Sequence, residues 1–383
     1  ISIIFVLHIA FSTEECRIIV GEEDIAKYFC NSIQDLQSKS VWIDVLINTQ
    51  NKSITELKNL KPKITITLQD KVKTKFTTNI INSITQVSSL LNSKMTLTSL
   101  TANTFANMEF KNIRFNQGQL LNIEPGTFSK MKNIQQIDIT FNPLQRIQAG
   151  VFNNLPVETL ILSNNKIMYI ERYAFTGMKS LKNLFLDGNL LVEFKSQLYM
   201  HDSKELATLF LQNNSMTEIK RDYFKNFINL RVLNLSSNKI VGVTTDAFED
   251  LTKLEVLNLA HNRIFELKAE IFPSYGFPVL SKLSIAYNRL SDLPLSVLDK
   301  LDGVKFISIG GNPWLCPCLS LVQLWINKND IKQVCDDEYT SGMRPICVYD
   351  YSNSNTCTFS DTSFYNEYSA INKHISKTEC TVI

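Results

Sequence analysis

Eight times between residues 137 and 312 the chain repeats one arrangement: an apolar residue, any residue, an apolar residue, two of any kind, then asparagine. The occurrences are Ile137/Ile139/Asn142, Leu160/Leu162/Asn165, Leu184/Leu186/Asn189, Leu209/Leu211/Asn214, Leu233/Leu235/Asn238, Leu257/Leu259/Asn262, Leu283/Ile285/Asn288 and Ile307/Ile309/Asn312. Subtracting successive asparagine positions gives spacings of 23, 24, 25, 24, 24, 26 and 24 residues. A unit of this length cannot bury its apolar side alone, so neighbouring units must stack and share one continuous core.

Each fixed residue has a physical reason. Alternating apolar residues point inward from a short strand. The asparagine turns the chain away and can satisfy backbone groups through its amide. A phenylalanine about ten residues later recurs as Phe128, Phe152, Phe175, Phe224, Phe248 and Phe272, and would stack along the returning side. The pattern is that of leucine-rich repeats. The expected fold class is α/β: a leucine-rich-repeat solenoid, or horseshoe, with a parallel concave sheet and disulfide-bonded N- and C-terminal caps. Toward the N-terminus the units decay, through Ile113/Phe115 with Gly118 in place of asparagine, a unit around Val87, Leu90 and Phe105, and another at Ile64, Ile66 and Leu68.

The eight cysteines lie outside the repeats: Cys16 and Cys30 before them, and Cys316, Cys318, Cys335, Cys347, Cys357 and Cys380 after them. An apolar run, Ile1 to Phe11, followed by Ser12 and Thr13, reads as part of a secretory signal and is too short to span a membrane. Secretion and an even cysteine count at both ends predict disulfide-sealed caps. The expected organisation is signal 1–13, N-terminal cap 14–60, repeats 61–312, cysteine-rich cap 313–360 and tail 361–383. The tail residues Phe364, Tyr368, Ile371 and Ile375 are at helical spacing within 363–377 and would pack on the cap. Asn51, Asn213 and Asn234 begin N-x-S/T sequons and are candidate glycan sites.

From Asn312 the sequence runs Pro313, Trp314, Cys316, Pro317, Cys318. It resembles the cysteine-rich C-terminal cap of extracellular leucine-rich-repeat proteins, which opens N-P-W-x-C-x-C. That resemblance implies pairing of Cys316 with Cys335 and of Cys318 with Cys347 or Cys357, the remaining cysteine bonding Cys380. A C-x-C is also a zinc pattern, but none of the four histidines lies near Cys316. No metal site and no cofactor are expected. The repeats, the N-terminal cysteine pair and this cap together resemble the secreted leucine-rich immune proteins of mosquitoes, the LRIM and APL group, and Toll-type receptor ectodomains. The first likeness implies innate-immune recognition, a complement-like partner, and a homo- or hetero-dimer with another leucine-rich-repeat protein. It also implies a coiled coil beyond the repeats, which the residues up to Ile383 do not supply.

Charge does not suggest nucleic acid, because 39 basic residues balance 37 acidic ones without a basic block. No phosphate-cradling glycine loop, nucleophile elbow or HExxH motif is visible, so no catalytic residue is assigned. A binding protein is expected, secreted and extracellular, with the ectodomain of a surface receptor or adhesion protein as the second reading and an enzyme far behind.

Partner contact is expected on the concave strand face. Its central column reads Arg114, Asp138, Ile161, Phe185, Phe210, Asn234, Asn258, Ser284 and Ser308. Ile161, Phe185 and Phe210 would form an apolar centre, with Asp138, Asn183, Asp187, Thr208 and Gln212 as a polar rim. The alternative is that these side chains pack along one another or lie under the chain's own ends. A glycan on Asn234 would project over this face and restrict partners to its N-terminal part. His261 and Tyr287 stand at the strand edge, where a solvated surface role is favoured over pH sensing.

Overall fold

The computed structural model describes residues 98–107, 111–200, 202–342, 346–348 and 357, together with the strand backbones of Cys16–Val20, Ile25–Cys30, Val41–Leu46, Lys63–Gln69 and Ser89–Ser93. The signal segment 1–13, Asn51, the side chains of Cys16 and Cys30, Cys380 and the 363–377 helix lie outside the described residues. Two compact units divide the chain, one formed by 1–184 with 199–203 and the other by 185–198 with 204–383.

In the first unit the opening strands are antiparallel: Cys16–Val20 pairs with Ile25–Cys30, which pairs with Val41–Leu46, which pairs with Lys63–Gln69. The pairing then becomes parallel, through Ser89–Ser93, Asn112–Asn116, Gln136–Asp138 and Thr159–Ile161. The expectation of a parallel sheet therefore holds from Lys63 onward, and a four-stranded antiparallel meander leads into it.

In the second unit Thr208–Phe210, Val232–Asn234, Val256–Asn258, Lys282–Ser284 and Phe306–Ser308 pair in parallel, each with the next. The register aligns Leu209, Leu233, Leu257, Leu283 and Ile307, so one apolar row faces the core; every member is at most 2% exposed. The returning sides add short parallel pairs, Arg146–Ile147 with Tyr169–Ile170 in the first unit and Glu218–Ile219 with Gly242–Val243 in the second.

The recurring phenylalanines stack as expected. In the first unit Phe105, Phe128, Phe152 and Phe175 follow one another with ring centres 5.4, 5.7 and 6.2 Å apart. In the second, Phe224, Phe248 and Phe272 repeat the arrangement at 6.2 and 6.4 Å. Where the period would call for another phenylalanine the chain has Tyr199, also buried, whose carbonyl accepts from the Phe175 amide at 2.9 Å.

The asparagines bind each repeat to the one before it. Asn262 Nδ2 donates to Leu235 O of the preceding unit and to Leu259 O of its own, both at 3.0 Å. Its Oδ1 accepts from the Ile240 amide, also of the preceding unit, at 3.0 Å. Asn214, Asn238, Asn288 and Asn312 make the same three kinds of bond. In the first unit Asn165 bonds Ile139 O and the Asn142 amide, and Asn142 bonds Phe115 O and the Leu120 amide. A side chain carrying both a donor pair and an acceptor is required here. Leucine would take one donor from each carbonyl and leave the buried amide unmatched, the latter at about 1–3 kcal/mol.

The residue before each of these asparagines lies in the left-handed region: Phe141, Asn164, Asn213, Ser237, His261 and Tyr287 all have φ of 54 or 55°. This turn takes the chain out of the strand. At Gly311 the same position requires glycine twice over, because its φ is 73° and a Cβ there would stand 2.7 Å from the Tyr287 ring and 2.9 Å from the Tyr339 hydroxyl.

The C-terminal cap ends the stack by substituting for a missing repeat. Within the array the Ile285 and Tyr287 amides bond the carbonyls of Ser308 and Gly310 in the next unit. Phe306–Ser308 is followed only by the two-residue parallel strand Lys332–Gln333, and beyond it the Asp336 carboxylate takes over: it accepts from the Ile309 amide at 2.9 Å, the Gly310 amide at 2.9 Å, the Ser308 hydroxyl at 2.8 Å and Gln333 Nε2 at 2.8 Å. Burial pushes its carboxyl above the usual carboxylate range, and these four donors pull it back.

The helix Cys316–Lys328 closes the core over Trp314, and disulfides join Cys316 to Cys347 and Cys318 to Cys357. This corrects the pairing of Cys316 with Cys335. The cap chain runs back beside the start of the helix, where Leu315 bridges Val348 and the Cys316 amide donates to Val348 O at 3.0 Å, so Cys347 is the cysteine delivered to Cys316. Cys335 is disulfide-bonded as well. With their sulfurs so bonded, Cys316 and Cys318 are not zinc thiolates.

Candidate functional site

A strand in this fold shows two faces. The inward row is buried, so whatever the chain presents from its sheet comes from the alternate residues. In the second unit Phe185 and Phe210 occupy that outward row, both partly exposed, and meet edge to face with ring centres 5.1 Å apart and planes at 80°. Asn234 is the register partner of Phe210 on the next strand and is also partly exposed. The backbone beneath is held by the Leu186 amide on Phe210 O at 2.9 Å and the Gly188 amide on Gln212 O at 2.9 Å. Thr208 and Gln212 flank Phe210 on the same strand face, and Asp187 stands beside Phe185 in the same way, all three partly exposed. The side-chain oxygen of Gln212 is buried without a hydrogen-bond donor among the described residues.

The first unit holds the rest of the expected set. Ile161 is partly exposed on the outward row. Asn183 donates to the Thr159 hydroxyl at 3.1 Å. Asp138 is 7% exposed and belongs less to a solvated rim than to an ion pair: Arg114 Nε lies 2.7 Å from its Oδ2. Opposite charges one repeat apart in one column are the readable signal for that pair, and the column in the sequence contained it. The structure thus brings together Phe185, Phe210, Asp187, Thr208 and Gln212 in one unit, and places Asp138, Ile161 and Asn183 in the other.

The expectation that the whole central column faces solvent needs correction. Asn258, Ser284 and Ser308 are 7%, 1% and 1% exposed, as buried as core residues. These side chains are short, and the residues beside them, Ala260, Ala286 and Gly310, are small as well, so the larger neighbours close over them. Tyr287 stacks on His261 with centres 4.2 Å apart, and Tyr339 of the cap meets Tyr287 edge to face at 6.0 Å. Ser308 is covered by Asp336, to which it donates. The accessible apolar part of the row in this unit is therefore the Phe185–Phe210 pair. Asp336 was missed from the sequence; the signal for it is an acidic residue directly after a cap cysteine, which is too common to single out.

Among the described residues no group of metal-ligating side chains converges, and no helix is long and apolar enough to cross a membrane. Asn213 is exposed, and Ser215 of its sequon accepts from Lys239 Nζ at 3.2 Å.

Comparison with known proteins agrees with this geometry. The leucine rich repeat family matches residues 135–191 and 204–264. Nephrocan of Mus musculus is 24% identical over 207 residues, covering 54% of this chain and 29% of that protein. Toll-like receptor 8 of Homo sapiens is 26% identical over 209 residues, covering 49% of this chain and 20% of that protein. The chain spans less than a third of the length of either relative. Among solved structures, the crystal structure of the mouse RP105/MD-1 complex aligns with a TM-score of 0.51 at 17% identity, over 78% of this chain and 58% of that one, a likeness of fold. The chain has the leucine-rich-repeat solenoid fold and is similar over part of its length to other leucine-rich-repeat proteins.

Proposed function

We propose that this leucine-rich-repeat chain is a secreted, extracellular binding protein that takes a protein partner on the outward face of its strands, with Phe185 and Phe210 at the centre of contact. The observation that carries the reading is that aromatic pair. Two phenylalanine rings held edge to face on a rigid sheet, rimmed by Asp187, Thr208 and Gln212, have the composition of a protein contact: an apolar centre with polar groups around it. The orphan oxygen of Gln212 adds an acceptor that a partner's N–H or O–H can meet once its side chain turns outward. Cap disulfides favour an oxidising compartment. In the finer reading the partner is complement-like and the setting innate immunity, as the likeness to the mosquito group implies.

A second reading, the ectodomain of a cell-surface receptor, is favoured by the similarity to Toll-like receptor 8. It uses the same face and differs in whether a membrane-spanning segment is encoded downstream of the repeats in the full transcript.

The test is affinity capture from extracellular fluid under reducing and non-reducing conditions, with the wild-type chain and with Phe185→Asp/Phe210→Asp. Placing two charges in the contact centre should reduce capture at least tenfold while leaving the fold intact, because neither ring is part of the core. Undiminished capture by the double variant removes this face from the proposal.

A further inference from the structure

We propose that Asn234 carries an N-linked glycan whose first sugar packs against Phe210, so that the sugar forms one wall of the contact site. The inference rests on the extracellular placement proposed above. It goes further by assigning a modification and a neighbour for it.

The geometry of the sequon is the starting point. In Asn234-Leu235-Ser236 the amide oxygen of Asn234 accepts from the Ser236 amide at 3.0 Å and from the Ser236 hydroxyl at 2.8 Å. Those two bonds fix the oxygen and leave Nδ2, the atom that takes a sugar, to point away from the turn. Nδ2 makes no hydrogen bond among the described residues and is not among their buried unpartnered atoms. Asn258, one repeat on, accepts in the same way from the Ala260 amide at 3.0 Å, but it is 7% exposed and has alanine where a sequon needs a hydroxyl. The ladder asparagines are excluded for another reason, since their Nδ2 groups are buried and each donates to backbone carbonyls. Of the described asparagines in the outward row, Asn234 alone has both the sequon and the room.

The neighbour follows from the register. Phe210 lies directly beside Asn234 on the adjoining strand, in a parallel sheet where strands are about 4.8 Å apart. A sugar attached to Nδ2 begins within reach of that ring, and its C–H face is complementary to the electron-rich face of an aromatic side chain. The sugar takes the Asn234 side of Phe210 and leaves Phe185, with the side of Phe210 that meets it, for a partner.

Transfer of the sugar needs a lipid-linked oligosaccharide diphosphate as donor. The Asn234 nitrogen attacks the anomeric carbon; the N-glycosidic bond forms as the sugar–phosphate bond breaks, the lipid diphosphate leaves with the electron pair, and one amide proton is lost to a base. No oxidant or reductant is involved.

The experiment uses the full chain secreted from insect cells behind a signal peptide. Peptide mass spectrometry reads occupancy at Asn234. Melting temperature is then compared for three forms: fully glycosylated, trimmed by an endoglycosidase to the first sugar, and Ser236→Ala, which abolishes the sequon while keeping Asn234. The trimmed form should melt with the untreated one, and Ser236→Ala, which lacks only the Asn234 sugar, about 2–4 °C lower. In a Phe210→Ala background that difference should vanish. An unmodified Asn234 overturns the site, and an equal melting temperature for the trimmed and Ser236→Ala forms overturns the packing. Neither result bears on partner capture, which is measured separately.

Discussion

Replacing Asn262 with aspartate should destabilise the second unit by about 4 kcal/mol, although the side chains differ by one atom. Asn262 Nδ2 stands 3.0 Å from Leu235 O and 3.0 Å from Leu259 O. An oxygen in its place faces two carbonyl oxygens and brings a buried charge with no counter-ion, and each carbonyl is left with a single donor, Asn238 Nδ2 on Leu235 O at 3.1 Å and Asn288 Nδ2 on Leu259 O at 2.9 Å. The acceptor half of the side chain is unaffected, because the Ile240 amide still finds an oxygen at 3.0 Å. The pH dependence has a definite sign. A carboxyl in this setting has its folded-state pKa raised above the unfolded value, so its penalty is relieved as pH falls and the loss is smaller near about pH 5 than at neutral pH. Denaturant unfolding at two pH values measures both effects. A loss under about 1 kcal/mol would mean that the asparagine fills space and does not link repeats.

The second large effect concerns the ring stack. Phe248 is fully buried between Phe224 and Phe272, with ring centres 6.2 and 6.4 Å away, and Phe277 lies at 6.3 Å. Phe248→Ala removes a ring that three neighbours touch and that backbone bonds prevent from being replaced by collapse: the Phe248 amide donates to Ile271 O at 3.0 Å. The expected cost is about 3–5 kcal/mol. Phe265, in the same repeat array, is 55% exposed, and its replacement by alanine should change stability by no more than about 0.5 kcal/mol. The contrast between two phenylalanines 17 residues apart (265 less 248) is the informative quantity. Equal losses would contradict the assignment of one to the core and the other to the surface.

How much was legible beforehand depends on the task each residue performs. The inward leucines, the asparagines and the stacked phenylalanines recur because every repeat solves the same burial problem, and recurrence can be read from one chain. The left-handed residue before each asparagine was hidden, because phenylalanine, asparagine, serine, histidine and tyrosine all occupy it and none advertises a positive φ. The antiparallel opening was hidden because it does not repeat. Cap chemistry depends on single events: Asp336 takes the amides of Ile309 and Gly310 beyond the short strand Lys332–Gln333, and the pairing of Cys316 with Cys347 depends on how the chain returns past Leu315. The outward row was readable as a row but not in its depth. Phe185 and Phe210 stay accessible, whereas Ser284 and Ser308 sink beneath larger neighbours because short side chains cannot reach past them.

Hydroxyl-radical footprinting of the chain alone and with its captured partner tests the central claim most directly, since it reads side-chain accessibility residue by residue. Protection of Phe185 and Phe210 in the complex, with Val192, Val241 and Phe265 on the returning side unchanged, is the predicted result. Protection of Val192, Val241 and Phe265 with the two phenylalanines as reactive as before would place recognition on the wrong side of the repeats and contradict the account.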